Sequence, residues 1–443
     1  MLKTIFYKYG ILGVLLCVGL SSTGQVKSSD STLQNATLEN VINYAIANQP
    51  VIRQSLIDEE ITDAFIKSKL ADWYPQLNFN YSYQHNFQVP TSVIGGNPIK
   101  LGVDNVSTAQ FGLKQNIFNP DILLAKRSKD DVRTQAKQNT SYSKIELAAE
   151  VAKAFYAVLA TKLQIRVADE NITRLESSLK VAHDQYNAGI ADRIDYKRAT
   201  ITLNNSKAEK KTNEAFLVAR FQNLKSLMGY PDNADLNLVY DSLQMEREII
   251  LDTLQQLDYN TRIEYQLLQT KRKLQVANKD YYKWSYFPTL SANAAYNFNY
   301  QNNAFNKLYS NNFPNSYAGL SLAFPIFQGM KRVANNKQAE LEIKRVDWDI
   351  INFKNESNTE YQQVLAAYKS SYANYLALKE NMDLAQEVYD VVQLQYKSGI
   401  KSYLEVIYSE ADLRTARISF INAVYLVLST KIDVEKALGQ IRY

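Results

Sequence analysis

Two hydrophobic periods divide the chain. Ile172, Leu175, Leu179, Ala182 and Tyr186 step by three and four, as do Ile418, Ile421, Tyr425, Leu428 and Ile432. Apolar residues at that spacing form one stripe of an α-helix, a coiled-coil-like seam. Elsewhere the period is two. Leu77, Phe79, Tyr81 and Tyr83 alternate with Asn78, Asn80, Ser82 and Gln84, and Ala109, Phe111 and Leu113 alternate with Gln110, Gly112 and Lys114. Later, Leu290, Ala292, Ala294, Tyr296, Phe298 and Tyr300 alternate with Ser291, Asn293, Ala295, Asn297 and Asn299, and Ala318, Leu320, Leu322 and Phe324 with Gly319, Ser321 and Ala323. Each of these four segments is expected to be a strand with one apolar and one polar face.

The helix breakers respect this division. No Pro or Gly lies between Pro120 and Gly189, Gly189 and Gly229, Gly329 and Gly399, or Gly399 and Gly439. Every Pro falls at 50–120, at Pro231 or at 288–325. The pattern predicts long helices at 120–187 and 329–397, each about 100 Å. Their partners at 192–228 and 402–438 would span about 55 Å. Shorter leading helices fall at about 51–73 and 262–286. Helices this long must bury their stripe against neighbours, and the small residues Ala148, Ala149, Ala152 and Ala154 allow close approach. A sandwich of short strands is excluded, because it would need turn residues every ~8–12 positions.

The halves repeat. Tyr186-Asn187-Ala188-Gly189-Ile190 returns 210 residues later as Tyr396-Lys397-Ser398-Gly399-Ile400, and Leu227-Met228-Gly229 as Ala437-Leu438-Gly439. Trp73-Tyr74-Pro75 corresponds to Tyr286-Phe287-Pro288, and Asn116-Ile117-Phe118 to Pro325-Ile326-Phe327. A unit of this size is a duplicated half, not a solenoid repeat.

Composition narrows the chemistry. Of 443 residues, 46% are hydrophobic and 12% aromatic, which excludes a disordered chain. The net charge of +5, from 50 basic and 45 acidic residues, is too even for a nucleic-acid surface. With only His85, His183 and Cys17, neither a Cys/His zinc site nor a disulfide is expected. Gly95-Gly96 lacks the Lys and helix start of a phosphate loop. His183 falls among helix residues, on the polar side of the stripe. No catalytic set or cofactor site emerges, and an enzyme is not expected.

At the N-terminus, Lys3 and Lys8 precede an apolar run from Ile11 to Leu20 and the small residues Ser21, Ser22, Thr23 and Gly24. That is the order of a secretory signal peptide, with cleavage expected after Gly24. Leu16 stands before Cys17 where a lipoprotein signal carries a small residue, which argues against lipidation.

In an exported chain, four segments of period-two pattern with Tyr and Phe towards their ends fit membrane-spanning β-strands. Four strands cannot close a barrel, and an open edge in lipid leaves backbone groups unsatisfied. The barrel must then be shared between chains. Two copies give a lumen that side chains would fill, and three give one wide enough for an opening. The loops at about 90–107 and 301–315 would face outside the cell and the long helices the periplasm.

This constellation resembles the TolC-like outer-membrane efflux channels over essentially the whole mature chain. The most specific motif is Tyr396-x-x-Gly399-x-Lys401-x-x-x-Glu405, echoed by Tyr186-x-x-Gly189-x-x-x-x-x-Asp195. The resemblance implies long helices in a periplasmic α-barrel joined to a trimeric 12-stranded outer-membrane β-barrel, four strands per chain. It implies a homotrimer in outer-membrane lipid that meets a periplasmic adaptor (membrane fusion protein) and an inner-membrane RND or ABC-type pump. Gly189, Ile190, Gly399 and Ile400 become adaptor-docking tip turns. Glu405 and Asp195 become acids of the periplasmic entrance, and Asp195, Tyr396 and Lys401 the groups that tie the tips shut. Tyr408 stands where a second entrance acid is expected, so the acidic ring is thinner than the family pattern. The expected organisation is a signal peptide (1–24), an N-terminal segment with the first helix (25–75), the first β-hairpin (76–118) and the first long helix pair (119–229). An equatorial segment (230–261), a second leading helix (262–288), the second β-hairpin (289–327) and the second long helix pair (328–443) follow. The leading expectation is a passive exit duct; the alternative is a non-conducting structural or adhesive trimer.

Overall fold

The structure, a computed structural model, describes residues 33, 35–189, 192–239 and 242–443. The expected signal peptide and Ile190 lie outside the described residues. The chain begins with α1 (Leu38–Asn48) and α2 (Pro50–Ala71). The second lies where a helix is expected at about 51–73, and the first is an additional helix ahead of it. Gln49 precedes Pro50, and a residue before proline is pushed out of the helical region. Its backbone is accordingly extended, with φ −62° and ψ 125°.

Next come β1 (Gln76–His85), the short β2 (Thr91–Ile94) and β3 (Asn97–Lys100), and β4 (Asn105–Phe118). The β2–β3 hairpin lies inside the expected loop at 90–107. Gly95 and Gly96 both take positive φ, as a two-residue hairpin turn requires. Helix α3 (Pro120–Asn187) starts with Asn119 capping the Asp121 N–H and Pro120 in the first turn, and runs 68 residues. Helix α4 (Arg193–Met228) returns beside it. The connecting segment holds α5 (Ser242–Glu248) and a 3₁₀ turn at Tyr259–Thr261. The second half repeats the plan with α6 (Ile263–Trp284), β5 (Thr289–Asn302), a 3₁₀ turn at Phe305–Ser310, β6 (Asn315–Ala323), α7 (Lys331–Lys397) and α8 (Tyr403–Ala437). Among the described residues, no helix is long and apolar enough to cross a membrane.

The four long strands form one antiparallel sheet in the order β1-β4-β5-β6. The hairpin of each half is thus joined to the other through β4 and β5. Register keeps the two rows apart. Phe79 faces Phe111, Phe111 faces Tyr296, Ala294 faces Ala318, and Leu290 faces Leu322. The intervening row sets Asn80 opposite Gln110, Gln110 opposite Asn297, and Asn297 opposite Asn315. The apolar row is exposed, with Leu77 at 70% and Leu320 at 71%. The polar row is knitted by side chains, as from Thr108 to Asn299 at 3.1 Å and from Asn293 to Ser321 at 2.9 Å.

The core lies where the helices meet midway along their length. From Leu147 to Ala160, α3 is buried nearly all round, a pattern that only small and apolar residues allow. Tyr361, Leu365, Tyr368 and Tyr375 from α7 and Val424, Val427, Leu428 and Ile432 from α8 fill the space against it. Ion pairs tie the halves across this zone: Lys436 to Glu146 at 2.7 Å, Arg414 to Glu209 at 2.8 Å, Arg417 to Glu170 at 2.7 Å, and Lys153 to Asp433. Each returning helix ends on a glycine pressed against the start of a leading helix. Gly229 lies against Asn48 and Gln49, and Gly439 against Thr261.

Candidate functional site: the paired helical tips

The α3–α4 and α7–α8 hairpins turn at the end of the molecule away from the sheet. Helix α7 closes with Gly399 at φ 74°; the Gly399 N–H donates to Tyr396 O at 2.9 Å and the Ile400 N–H to Gln395 O at 2.9 Å. That is a Schellman motif, which needs a residue tolerant of left-handed backbone. Gly189 likewise has φ 73° and donates to Tyr186 O at 3.0 Å. Ile400 is 72% exposed at the extremity.

Helix α8 then begins with a capping box. Glu405 Oε2 accepts from the Ser402 backbone N–H at 3.0 Å, and its Oε1 accepts from Lys401 Nζ at 2.6 Å. The lysine, then the Ser402 N–H, hold the Glu405 carboxyl below the usual carboxylate range. The expected entrance acid is therefore also the cap of its own helix, with its charge partly matched by Lys401. Asp195 sits in the first turn of α4, where Asp192 caps the Ile194 N–H at 3.0 Å. Among the described residues, the Asp195 carboxylate has no hydrogen-bond or ion-pair partner within the chain. Lys401 and Glu405 are brought together; Asp195 and Lys401 are not paired within one protomer.

Tyr396 spans the two hairpins: its hydroxyl donates to Gln185 Oε1 of α3 at 2.9 Å. Its ring lies 5.7 Å from that of Tyr403, and Tyr186 lies 5.5 Å from Tyr196. Burial pushes the Tyr396 and Tyr403 hydroxyls up, and the Asp195 charge adds to both shifts. Beneath these rings, Ala182, Ala199, Tyr389, Tyr403, Val406 and Leu413 form a small apolar cluster separate from the main core. His183 stands at the margin, bonded to Asn187 at 3.1 Å. Among the described residues, no group of His, Cys, Asp and Glu could hold a metal ion.

Farther from the tip lies a charged pair that sequence reasoning missed. Glu410 of α8 is 3% exposed, and Arg174 Nε of α3 approaches its Oε1 at 3.4 Å. Burial raises the Glu410 carboxyl, while Arg174 and then Arg414 oppose the shift. Arg174 also lies 5.8 Å over the ring of Tyr389. Its Nη2, Asn171 Oδ1 and the Tyr403 hydroxyl are buried without hydrogen-bond partners among the described residues. The available signal was spacing: Glu410 follows Tyr403 by seven and precedes Leu413 by three, on the packed side of the helix.

A sheet with one lipid-compatible face and, among the described residues, two unpaired edges, carrying two helical hairpins whose long arms reach about 100 Å, defines a membrane β-barrel chain with a helical extension. The chain belongs to the outer membrane efflux protein family, whose model matches residues 41–230 and 265–440. Its sheet accordingly lies in the outer membrane and its helices extend into the periplasm. It is similar to the probable efflux pump outer membrane protein TtgC of Pseudomonas putida, 23% identical over 319 residues, 69% of this chain and 62% of that one. It is also similar to the outer membrane protein TolC of Escherichia coli, 20% identical over 392 residues, 82% of this chain and 74% of that one. The solved structure of CusC shares the fold at TM-score 0.72 and 17% identity, covering 90% of this chain and 91% of that one.

Proposed function

We propose that the protein is the exit duct of a tripartite efflux or secretion system. Three copies pair β6 of one with β1 of the next, close a 12-stranded barrel, and surround a continuous lumen with their helices. The duct is passive: an inner-membrane RND or ABC-type pump supplies energy and cargo, and a periplasmic adaptor opens the helical tips. The duct performs no chemistry on what it passes. The observation that carries this reading is the sheet itself, with an exposed apolar row, a hydrogen-bonded polar row and, among the described residues, an unpaired edge on each side. Such edges are tolerated in lipid only when another chain completes them. The polar row then lines water, which favours a conduit over a solid stalk.

At the periplasmic end, Gly189, Ile190, Gly399 and Ile400 form the turns that meet the adaptor. Asp195, Tyr396 and Lys401 hold the mouth shut, and Asp195 and Glu405 give the entrance its acidic charge. Because Asp195 has no partner among the described residues of its own chain, it is available to meet a basic group on a neighbouring protomer. Purified protein in planar bilayers tests the proposal. A duct gives discrete single-channel steps with a cation preference; a structural or adhesive trimer gives none.

A further inference from the structure

The link between β5 and β6 does not project freely from the barrel. Its side chains return to the sheet, and register identifies the row they return to. The Tyr309 hydroxyl lies 2.9 Å from that of Tyr81 and donates to Ser107 Oγ at 3.4 Å. The Tyr309 ring packs 5.1 Å from Tyr300, and Phe305 packs edge-on to Tyr83 at 5.7 Å. Tyr81, Tyr83, Ser107 and Tyr300 all belong to the row that carries Phe79, Phe111 and Phe298: Tyr83 faces Ser107, Ser107 faces Tyr300, and Tyr81 faces Ala109. None of the four belongs to the Asn- and Gln-bearing row that lines the lumen.

The contact is built, not incidental. Leu308 is fully buried beneath the link, and Ser107 is 1% exposed where Phe111 and Leu113 of the same row stand at 45% and 42%. Asn105, 2% exposed, anchors the start of the link where it leaves β5. Its Oδ1 accepts from the Tyr83 hydroxyl at 2.7 Å and bonds His85 Nδ1 at 2.8 Å. Its amide donates to the carbonyls of Asn302 at 3.2 Å and Asn303 at 2.9 Å. The link thus leaves β5 already turned towards the apolar side. Having used Leu308 to dock, it still presents Phe305 at 63% and Tyr309 at 53% exposure, beside Lys307. An apolar ring with a polar rim and a cation beside it suits the headgroup level of a bilayer, where aromatic residues concentrate and a lysine reaches phosphate.

We propose that residues 304–313 form a collar on the outer wall of the barrel, seated in the headgroup region of the outer leaflet, rather than a loop over the pore mouth. The partner is a lipid surface. The collar thickens the aromatic girdle at the external end with residues from outside the strands. The collar itself does not cross the lumen opening. This inference rests on the outward orientation of the apolar row, so its test carries a control for that orientation.

The test places a single indole in the full-length protein. In a background of Trp73→Phe, Trp284→Phe and Trp348→Phe, Phe305→Trp is reconstituted into phosphatidylcholine vesicles brominated either near the glycerol end or near the methyl end of the chains. A seated collar gives strong quenching by the shallow bromines, weak quenching by the deep ones, and little by aqueous acrylamide. Strong acrylamide quenching with no response to either lipid overturns the collar. Leu320→Trp, at the middle of β6 on the same row, is the control. Its quenching by deep bromines reports that the row faces lipid, and its silence would overturn the barrel orientation rather than the collar alone. A nitroxide at Asn306→Cys, with the three tryptophans intact, gives the same answer without the triple background. Relaxation by oxygen should exceed relaxation by a water-soluble nickel chelate, and the reverse order overturns the proposal.

Discussion

A Cβ placed on Gly439 would lie 2.7 Å from the carbonyl oxygen of Thr261. The end of the last helix is therefore in backbone contact with the residue before Arg262, whose guanidinium in turn donates to the Ala437 carbonyl at 3.3 Å. The first half repeats the arrangement, with 2.9 Å from a Cβ on Gly229 to Asn48 O. Both glycines also hold positive φ, 64° and 69°. We expect Gly229→Ala and Gly439→Ala each to destabilise the helical region by about 2–3 kcal/mol, from left-handed strain and a backbone clash that no side chain can relieve. Thermal unfolding followed by circular dichroism checks this. Gly319→Ala, where a Cβ meets open space, should leave the midpoint unchanged.

Asp195→Ala combined with Lys401→Ala should raise single-channel conductance in planar bilayers, and more than either change alone. Each exposed ionic contact is worth only ~0–1 kcal/mol, so closure must draw on several. An unchanged conductance would remove these two residues from the closure mechanism while leaving the duct intact.

Tyr396→Phe keeps the ring against Tyr403 and deletes only the donor to Gln185. Losing one such hydrogen bond, worth about 1 kcal/mol, should raise the open-to-closed ratio about fivefold. Gln185→Ala added to Tyr396→Phe should cost little more, because both changes break the same contact. Independent, additive effects on open probability would show that the two hairpins are not joined there.

Glu405 and Glu410 should give opposite pH dependences. Glu405 titrates below its ordinary value in the folded tip, so its stabilising share is present above the unfolded value and is lost as pH falls through the folded one. Glu410 titrates above its ordinary value. The folded form then holds the proton more tightly than the unfolded chain, and stability contributed by this group falls as pH rises from the ordinary glutamate value through the raised one. Glu410→Gln should flatten that limb of the unfolding midpoint plotted against pH, whereas Glu405→Gln should flatten the acid limb. A profile unchanged by Glu410→Gln would mean that Arg174 compensates its burial fully.

The long helices and the sheet were legible because their signals are periodic and extend over many residues. The pattern from Pro120 to Gly189 corresponds to α3, and the alternation at Leu77 to Tyr83 to the apolar row. The helix Leu38–Asn48 and the β2–β3 hairpin were not foreseen: the first is a short helix ahead of the one expected at 51–73, and the second depends on the single dipeptide Gly95-Gly96 inside an expected loop. At the tip, Gly399 stood out by the internal repeat, and Lys401 and Glu405 by the family resemblance. The contacts from Tyr396 to Gln185 and from Arg174 to Glu410 did not, because they join residues 211 and 236 positions apart. Only the packing of one hairpin on the other creates them. Nor did the alternation of β5 show that the chain beyond it doubles back, for Asn105 fixes that course from another strand.

The order of strands also sets a timetable for assembly. β1 and β4 can pair as soon as they emerge, but the other edge of β4 must wait for β5, which follows only after the whole of α3, α4 and α6. Non-local pairing of this kind is slow, because the ends of a long loop must find each other first. Throughout that interval the row of Leu77, Phe79, Phe111 and Leu113 is exposed to water beside an unpaired edge, the condition under which strands aggregate. In the proposed trimer the last edges, of β1 and β6, close only by collision with another chain. Completion of the barrel is then second order or higher in protein concentration, and the half-built sheet depends on escort until its neighbours arrive.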